Sequence, residues 1–155
     1  MEWYSAYLYL DLANFYFDQN LNGFGNWFTV QTQEERDHAM LFIKYLLNND
    51  EKVVLQDVKA PGSQFGDFRQ PAEAAFEHEK KVTKSINEIY AVAYEQRDFR
   101  TMQFLDWFVK EQGEEEKNTQ DILKRYDLFG SDAKGLYLLD AELGARIYTP
   151  PSLVL

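Results

Sequence analysis

Apolar residues recur every three to four positions along four stretches of this chain, and an acid or an amide interrupts each apolar stripe. That period turns one face of a helix toward a core. The first stretch, about Met1 to Asp18, carries Glu2, Ala6, Tyr9, Leu12 and Tyr16 on its stripe. The second, about Asn26 to Leu47, carries Phe28, Gln31, Glu35, His38, Phe42 and Tyr45. The third, about Ala72 to Gln96, carries Ala75, Glu79, Val82, Ile86, Ile89 and Ala93. The fourth, about Phe99 to Tyr126, carries Phe104, Phe108, Gln112, Glu115 and Ile122. The pattern predicts an all-α four-helix bundle.

The connections set its topology. Asn20 to Gly25 reads as a short turn, so the first two helices are antiparallel neighbours. Asn49 to Gln70 contains Pro61-Gly62 and Gly66 and is long for a loop in a compact domain. It can run the length of the bundle and leave the second and third helices parallel, which gives one long crossover connection. Pro71 suits the first turn of the third helix, and Arg97-Asp98 is a tight link into the fourth. Gly130-Ser131-Asp132 signals a cap, followed by a short C-terminal fifth helix from about Ala133 to Leu143. Pro150-Pro151 ends regular structure. With 155 residues, no internal repeat and no linker, a single domain spanning 1–155 is expected.

The interrupted stripes carry the chemistry. Glu35 and His38 form an E-x-x-H on one helix face, and Gln112 and Glu115 repeat the spacing on another. Burying a bare carboxylate costs several kcal/mol, so four in one core need cations. Glu2, Glu35, Glu79 and Glu115, with His38 as nitrogen donor, therefore read as a dinuclear metal site. Oxygen-rich ligands with one imidazole suit iron or manganese, and zinc also fits. The alternative is that these acids are interfacial and solvated.

With these features the chain resembles the bacterial non-haem ferritins over nearly its whole length. The resemblance is carried by Glu2-Trp3-Tyr4-Ser5-Ala6-Tyr7-Leu8-Tyr9, Gln33-Glu34-Glu35-Arg36-Asp37-His38, Phe76-Glu77-His78-Glu79, the run Phe104 to Glu116, and Gly135-Leu136-Tyr137-Leu138-Leu139-Asp140. It implies a ferroxidase subunit of a hollow cage of twenty-four copies, storing Fe(III) mineral. It implies a first iron position at Glu2, Glu35 and His38, and a second that uses Glu35 as a bridge with Glu79 and Glu115, Gln112 standing close by. A third iron position nearby is implied at Glu34, Glu111, Glu114 and Glu115. Tyr9 matches a family tyrosine beside the site that supplies an electron during oxygen reduction; its other reading is a plain core aromatic. Glu34, Glu111 and Glu114 also read as a solvated acidic run flanked by Lys110 and Lys117. His78 is read as a surface histidine, and Met40, Met102 and Trp107 as packing residues.

Departures from related patterns narrow the reading. Arg36 stands where haem-binding bacterioferritins place an axial methionine, so no haem is expected. Met102 and Leu105 occupy positions that are acidic in the iron-access channel of animal ferritins, so that channel is not carried over. The fifth helix argues against the smaller miniferritins. Glu2 stands at the start of the sequence, where helices fray, so its position is expected to hold iron more weakly than that of Glu79 and Glu115.

Bulk properties fit. Twelve Phe and ten Tyr supply a large aromatic core, and the mean hydropathy of -0.51 with no long apolar run excludes a membrane span. A net charge of -10 disfavours nucleic acid and favours cations; the resemblance implies that the cation is Fe(II), with dioxygen or peroxide as oxidant. Zero cysteines and no charged-then-apolar leader are compatible with a cytoplasmic location. Two alternatives stand beside iron storage. One is a non-storing di-iron oxidase or peroxidase of rubrerythrin type, which no rubredoxin-like cysteine motif supports. The other is a metal-free helical assembly protein.

Overall fold

The computed structural model describes residues 1–155. It contains five helices: α1 (Glu2–Asp18), α2 (Asn22–Asn48), α3 (Gln70–Glu95), α4 (Phe99–Phe129) and α5 (Ala133–Leu143). Cross-helix pairs fix their directions. Gln31 meets Glu115 and Tyr45 meets Thr101, so α2 and α4 run antiparallel. Gln112 meets Glu79 and Tyr90 meets Asp106, so α3 also opposes α4. α2 and α3 are therefore parallel, and residues 49–69 form the long crossover between them.

Side chains from neighbouring segments close several helix starts. Asp98 Oδ1 accepts from the Thr101 amide at 3.1 Å, and Asp132 Oδ1 accepts from the Lys134 and Gly135 amides at 3.0 Å. Asp67 Oδ1 accepts from the Arg69 and Gln70 amides at 2.9 and 3.0 Å just before Pro71. Each satisfies a donor that the first turn of a helix leaves free.

Two aromatic cores fill the bundle. In the first, Tyr16 stacks on Phe24 and Phe28 with centroids 4.7 and 5.4 Å apart, and Leu12, Ala75, Ile122 and Leu139 close around them. In the second, Val82, Ile86, Phe104, Leu105 and Phe108 pack together, with Tyr45 stacked on Phe104 at 4.1 Å. The polar layer of Glu35, Glu79 and Glu115 lies between them: Phe28 and Phe42 flank Glu35, Ala75 and Val82 flank Glu79, and Ile122 and Phe108 flank Glu115.

Some expectations change. α2 begins a full turn before Asn26, because the reversal is made by Asn20 in the left-handed region (φ 58°) rather than by the glycines. Gly23 is needed for packing instead: a Cβ there would lie 1.6 Å from the Asp140 carbonyl oxygen of α5. Asp140 Oδ1 in turn accepts from the Phe24 amide at 2.9 Å and closes the start of α2. α4 continues past Tyr126 to Phe129. Ile89, expected on the buried stripe, is 46% exposed, and its neighbours Ile86 and Ala93 carry the burial. Met40, expected to pack, is 48% exposed, because the face defined by Glu35, His38 and Phe42 turns it outward.

Gly23→Ala is expected to destabilise the fold by about 1–3 kcal/mol, the usual cost of forcing a methyl into a packed contact. A denaturant titration checks this; a neutral substitution would mean that α5 docks elsewhere.

Candidate metal centre

The three helices α2, α3 and α4 place their polar interruptions at one level of the bundle, and α1 adds Glu2 and Tyr9. Glu2, Glu35, His38, Glu79, Gln112 and Glu115 are all buried. Glu35, His38 and Glu115 bring ligand atoms within 4.8 Å of one another, a trio able to hold a metal ion. His38 Nδ1 stands 3.6 Å from Glu35 Oε2. The edges of Trp107 and Phe108 wall the imidazole at 5.5 and 5.9 Å between centroids.

Glu79 lies on the α3 side of the layer. The Tyr9 hydroxyl donates to its Oε1, and Gln112 Nε2 donates to its Oε2 at 3.0 Å. Glu2 is held more loosely, with Ser5 Oγ 3.5 Å from its Oε2. Ser5 also meets His78 Nε2 at 2.8 Å. His78 is therefore not a surface histidine: it is 5% exposed, and the rings of Tyr4 and Tyr9 enclose it. The apolar stripe of this helix pointed only at its neighbour Glu79, and its partner Ser5 lies on a different helix.

Glu34, Glu111 and Glu114 line a pocket of about 270 Å³ that also reaches His38 and Glu115. Glu34 and Glu111 are half-buried, and Glu114 is exposed. Lys117 pairs with Asp121 instead, and Lys110 acts on Glu111 only through its charge. The partner is Arg146, which pairs with Glu34 from beyond α5.

Two residues of the site were not assigned from sequence. Gln31 Nε2 donates to Glu35 Oε1 at 3.2 Å and to Glu115 Oε2 at 2.7 Å, bridging two carboxylates. Its place one turn before Glu35 on the same stripe was the available signal. Arg146 Nη1 donates to Gln31 Oε1 at 2.8 Å, and no local pattern marks it.

Burial dominates the electrostatics. It raises the Glu35 and Glu115 carboxyls well above the usual range, and the charges of neighbouring glutamates push them further. Glu79 is raised by burial, opposed by the hydrogen bonds from Tyr9 and Gln112. Glu2 is raised by burial, opposed by the nearby terminal amine and His38. Burial lowers His78 to about 4. Burial also raises the Tyr9 phenol, helped by the surrounding glutamates. A divalent cation reverses the logic for the acids, since it binds the ionised form.

The sign of the pH dependence follows. Glutamates of the unfolded chain titrate near pH ~4.3. Above that value and up to the raised native range, the folded metal-free protein binds more protons than the unfolded one. Stability contributed by these acids is present below the unfolded value and is lost as pH rises through the native one. The metal-free protein is therefore expected to melt higher at about pH 5.5 than at about pH 8, and saturating Zn(II) to reverse the trend. Calorimetry checks this, and Glu35→Gln with Glu115→Gln should flatten the slope; an unchanged slope would mean that these acids are already ionised in the metal-free fold.

Comparison with known proteins gives the same family. The ferritin-like domain family matches residues 1–129. The bacterial non-heme ferritin of Campylobacter jejuni is 38% identical over 139 residues, 90% of this chain and 83% of that protein. A probable bacterial non-heme ferritin-like protein of Haemophilus influenzae is 34% identical over 144 residues, 93% of this chain and 87% of that one. Among solved structures, an open pore ferritin from the hyperthermophilic archaeon Archaeoglobus fulgidus superposes with a TM-score of 0.92 at 41% identity, covering 94% of this chain and 89% of that one. With the ferritin-like domain matched over residues 1–129 and relatives aligned along more than four fifths of both chains, this protein belongs to the ferritin family.

Proposed function

We propose that this protein is a ferritin subunit with ferroxidase activity. It takes Fe(II) into the carboxylate layer, oxidises it with dioxygen and passes Fe(III) to a mineral stored inside an assembly of its own copies. The observation that carries the reading is the buried trio of Glu35, His38 and Glu115, whose ligand atoms converge within 4.8 Å in a family of iron proteins.

Each residue has a role in that reading. Glu2, Glu35 and His38 take the first iron. Glu35 bridges to the second, which Glu79 and Glu115 hold, with Gln112 positioning Glu79. Two iron ions at the ~3.5–4 Å spacing usual for two-metal sites can each give one electron to the same dioxygen. Two Fe(II), one O2 and two protons then yield two Fe(III) and hydrogen peroxide. Carboxylates favour the higher charge of Fe(III), which lowers the barrier to electron loss. Tyr9, hydrogen-bonded to Glu79, is the residue that the resemblance gives as donor of a further electron where reduction of oxygen continues past peroxide. Glu34, Glu111 and Glu114, with Glu115, form a third iron position on the way out of the layer.

Assembly is supported by apolar side chains left on the surface. Trp3, Tyr7 and Leu10 stand exposed on α1, as do Leu128 and Phe129 at the end of α4 and Tyr137 and Leu138 on α5. Exposed large apolar side chains in such number suit protein contacts. The proposed assembly is the cage of twenty-four that the family resemblance implies. No helix is long and apolar enough to cross a membrane, and the acidic chain suits the handling of cations.

Glu35→Ala and His38→Ala are expected to abolish rapid Fe(II) oxidation while the bundle still folds, with Glu35→Ala the more severe. Gln31→Ala is expected to lower metal affinity or rate by about 10–100-fold, the usual cost of losing a group that orients metal ligands. Stopped-flow absorbance after mixing anaerobic Fe(II)-loaded protein with oxygen checks both. Wild-type rates in the two ligand variants would sink the dinuclear reading.

Replacing Glu34, Glu111 and Glu114 together by alanine is expected to leave the first oxidation nearly intact and to change the iron oxidised per oxygen consumed. Oxygen-electrode stoichiometry measures this; an unchanged ratio would return these three acids to a solvated surface role.

A further inference from the structure

The acidic pocket beside the metal centre is already occupied by a cation, and that cation belongs to the chain itself. Arg146 follows α5 and reaches back over α2. Its Nη2 pairs with Glu34, and its Nη1 donates to Gln31 Oε1 at 2.8 Å and to the Trp27 carbonyl at 3.3 Å. Its guanidinium carbon lies 4.1 Å over the Trp27 ring, a cation–π contact. Asn26 Nδ2 donates to the Arg146 carbonyl at 3.0 Å and fixes the backbone there.

The chain beyond Arg146 stays on the same surface. Tyr148 donates to Asp37, and Trp107 Nε1 donates to Ser152 Oγ at 3.0 Å. Leu153 and Leu155 pack against the second aromatic core. Residues 149–152 line the 270 Å³ pocket together with Glu34 and Glu111. The tail is thus a strap laid over the pocket, and Arg146 is its charged anchor.

A guanidinium and a divalent cation cannot share the Glu34 carboxylate without loss. Each would take the same oxygen lone pairs, and two positive charges would face each other in a half-buried pocket. We propose that Arg146 is a built-in counter-cation of this pocket: it neutralises Glu34 while the pocket holds no metal, and metal entering at Glu34 and Glu111 drives it out and frees the strap. This rests on the reading of that pocket as a metal position.

Gln31 carries the effect inward. While Arg146 holds its Oε1, the Gln31 amide must turn its NH2 toward Glu35 and Glu115, as observed. Departure of Arg146 removes that constraint on an amide that bridges two ligands of the inner centre. The two positions are therefore linked through one side chain, and the linkage is reciprocal. Metal at the inner centre takes the carboxylates from Gln31 and weakens the hold on Arg146 in turn.

The test is anaerobic calorimetric titration of the assembled protein with Zn(II), which does not change oxidation state. Wild type is expected to show a strong class of sites for the inner centre and a weaker class for the outer pocket. Arg146→Ala should tighten the weaker class by about tenfold to a hundredfold, the span of a lost charge-assisted contact. Arg146→Gln, which keeps amide donors without the charge, should tighten it similarly and serves if the alanine variant does not assemble. Tyr148→Phe loosens the strap but leaves the cation, so it should stay near wild type. In a Trp3→Phe, Trp107→Phe background, which leaves Trp27 as the single tryptophan, filling the weaker class should change Trp27 emission when Arg146 is present and not in Arg146→Ala. Equal weak-class affinity in wild type and the Arg146 variants, or Tyr148→Phe behaving like them, overturns the proposal while the strong class still supports the di-iron reading. Absence of the strong class in wild type overturns both.

Discussion

The structure turns on the burial of four carboxylates at one level of a helical bundle. Glu2, Glu35, Glu79 and Glu115 are cut off from water, and uncompensated charge there would be costly. In the metal-free fold the cost is met by proton retention and by amide and hydroxyl donors. Gln31 ties Glu35 to Glu115, while Tyr9 and Gln112 hold Glu79. These same donors set the carboxylates at angles from which cations can replace the protons. The centre is therefore preorganised by groups that are not themselves proposed ligands, Gln31 above all.

The two aromatic cores make this layer possible. Stacked Tyr16, Phe24 and Phe28 on one side and Tyr45, Phe104 and Phe108 on the other bury enough apolar surface to carry a polar layer between them. They also fix register. α2, α3 and α4 each leave one core, cross the layer and enter the other, so a slip by one residue in any of them would turn its acid away from the centre. The crossover of residues 49–69 makes α2 and α3 parallel, so that Glu35 and Glu79 face each other across the bundle at one level.

The outer pocket follows a different logic. Glu34 and Glu111 are only half-buried, and the compensation of Glu34 comes from the Arg146 cation rather than from a proton alone. Burial raises Glu34, and the guanidinium opposes that rise. An acid neutralised by a guanidinium that lies outside the helices can be released to a metal without disturbing them. The inner centre is rigid because it is built on four helices; the outer pocket is lined in part by the tail.

The periodicity of apolar positions determined the helices, the long crossover and the level at which acids interrupt every stripe, because each of these is a property of residues close together in sequence. The E-x-x-H of Glu35 and His38 and the matching spacing of Gln112 and Glu115 were legible for the same reason. Packing between distant segments decided the rest. Gly23 looked like turn chemistry, but its role is the close approach of Asp140 in α5. His78 looked exposed until Ser5, Tyr4 and Tyr9 of α1 closed over it. Arg146 carried no local signal at all, since its meaning is Glu34 and Gln31, more than a hundred residues earlier in the chain. Local sequence fixes which face of a helix is polar; only the folded chain decides which group neutralises it.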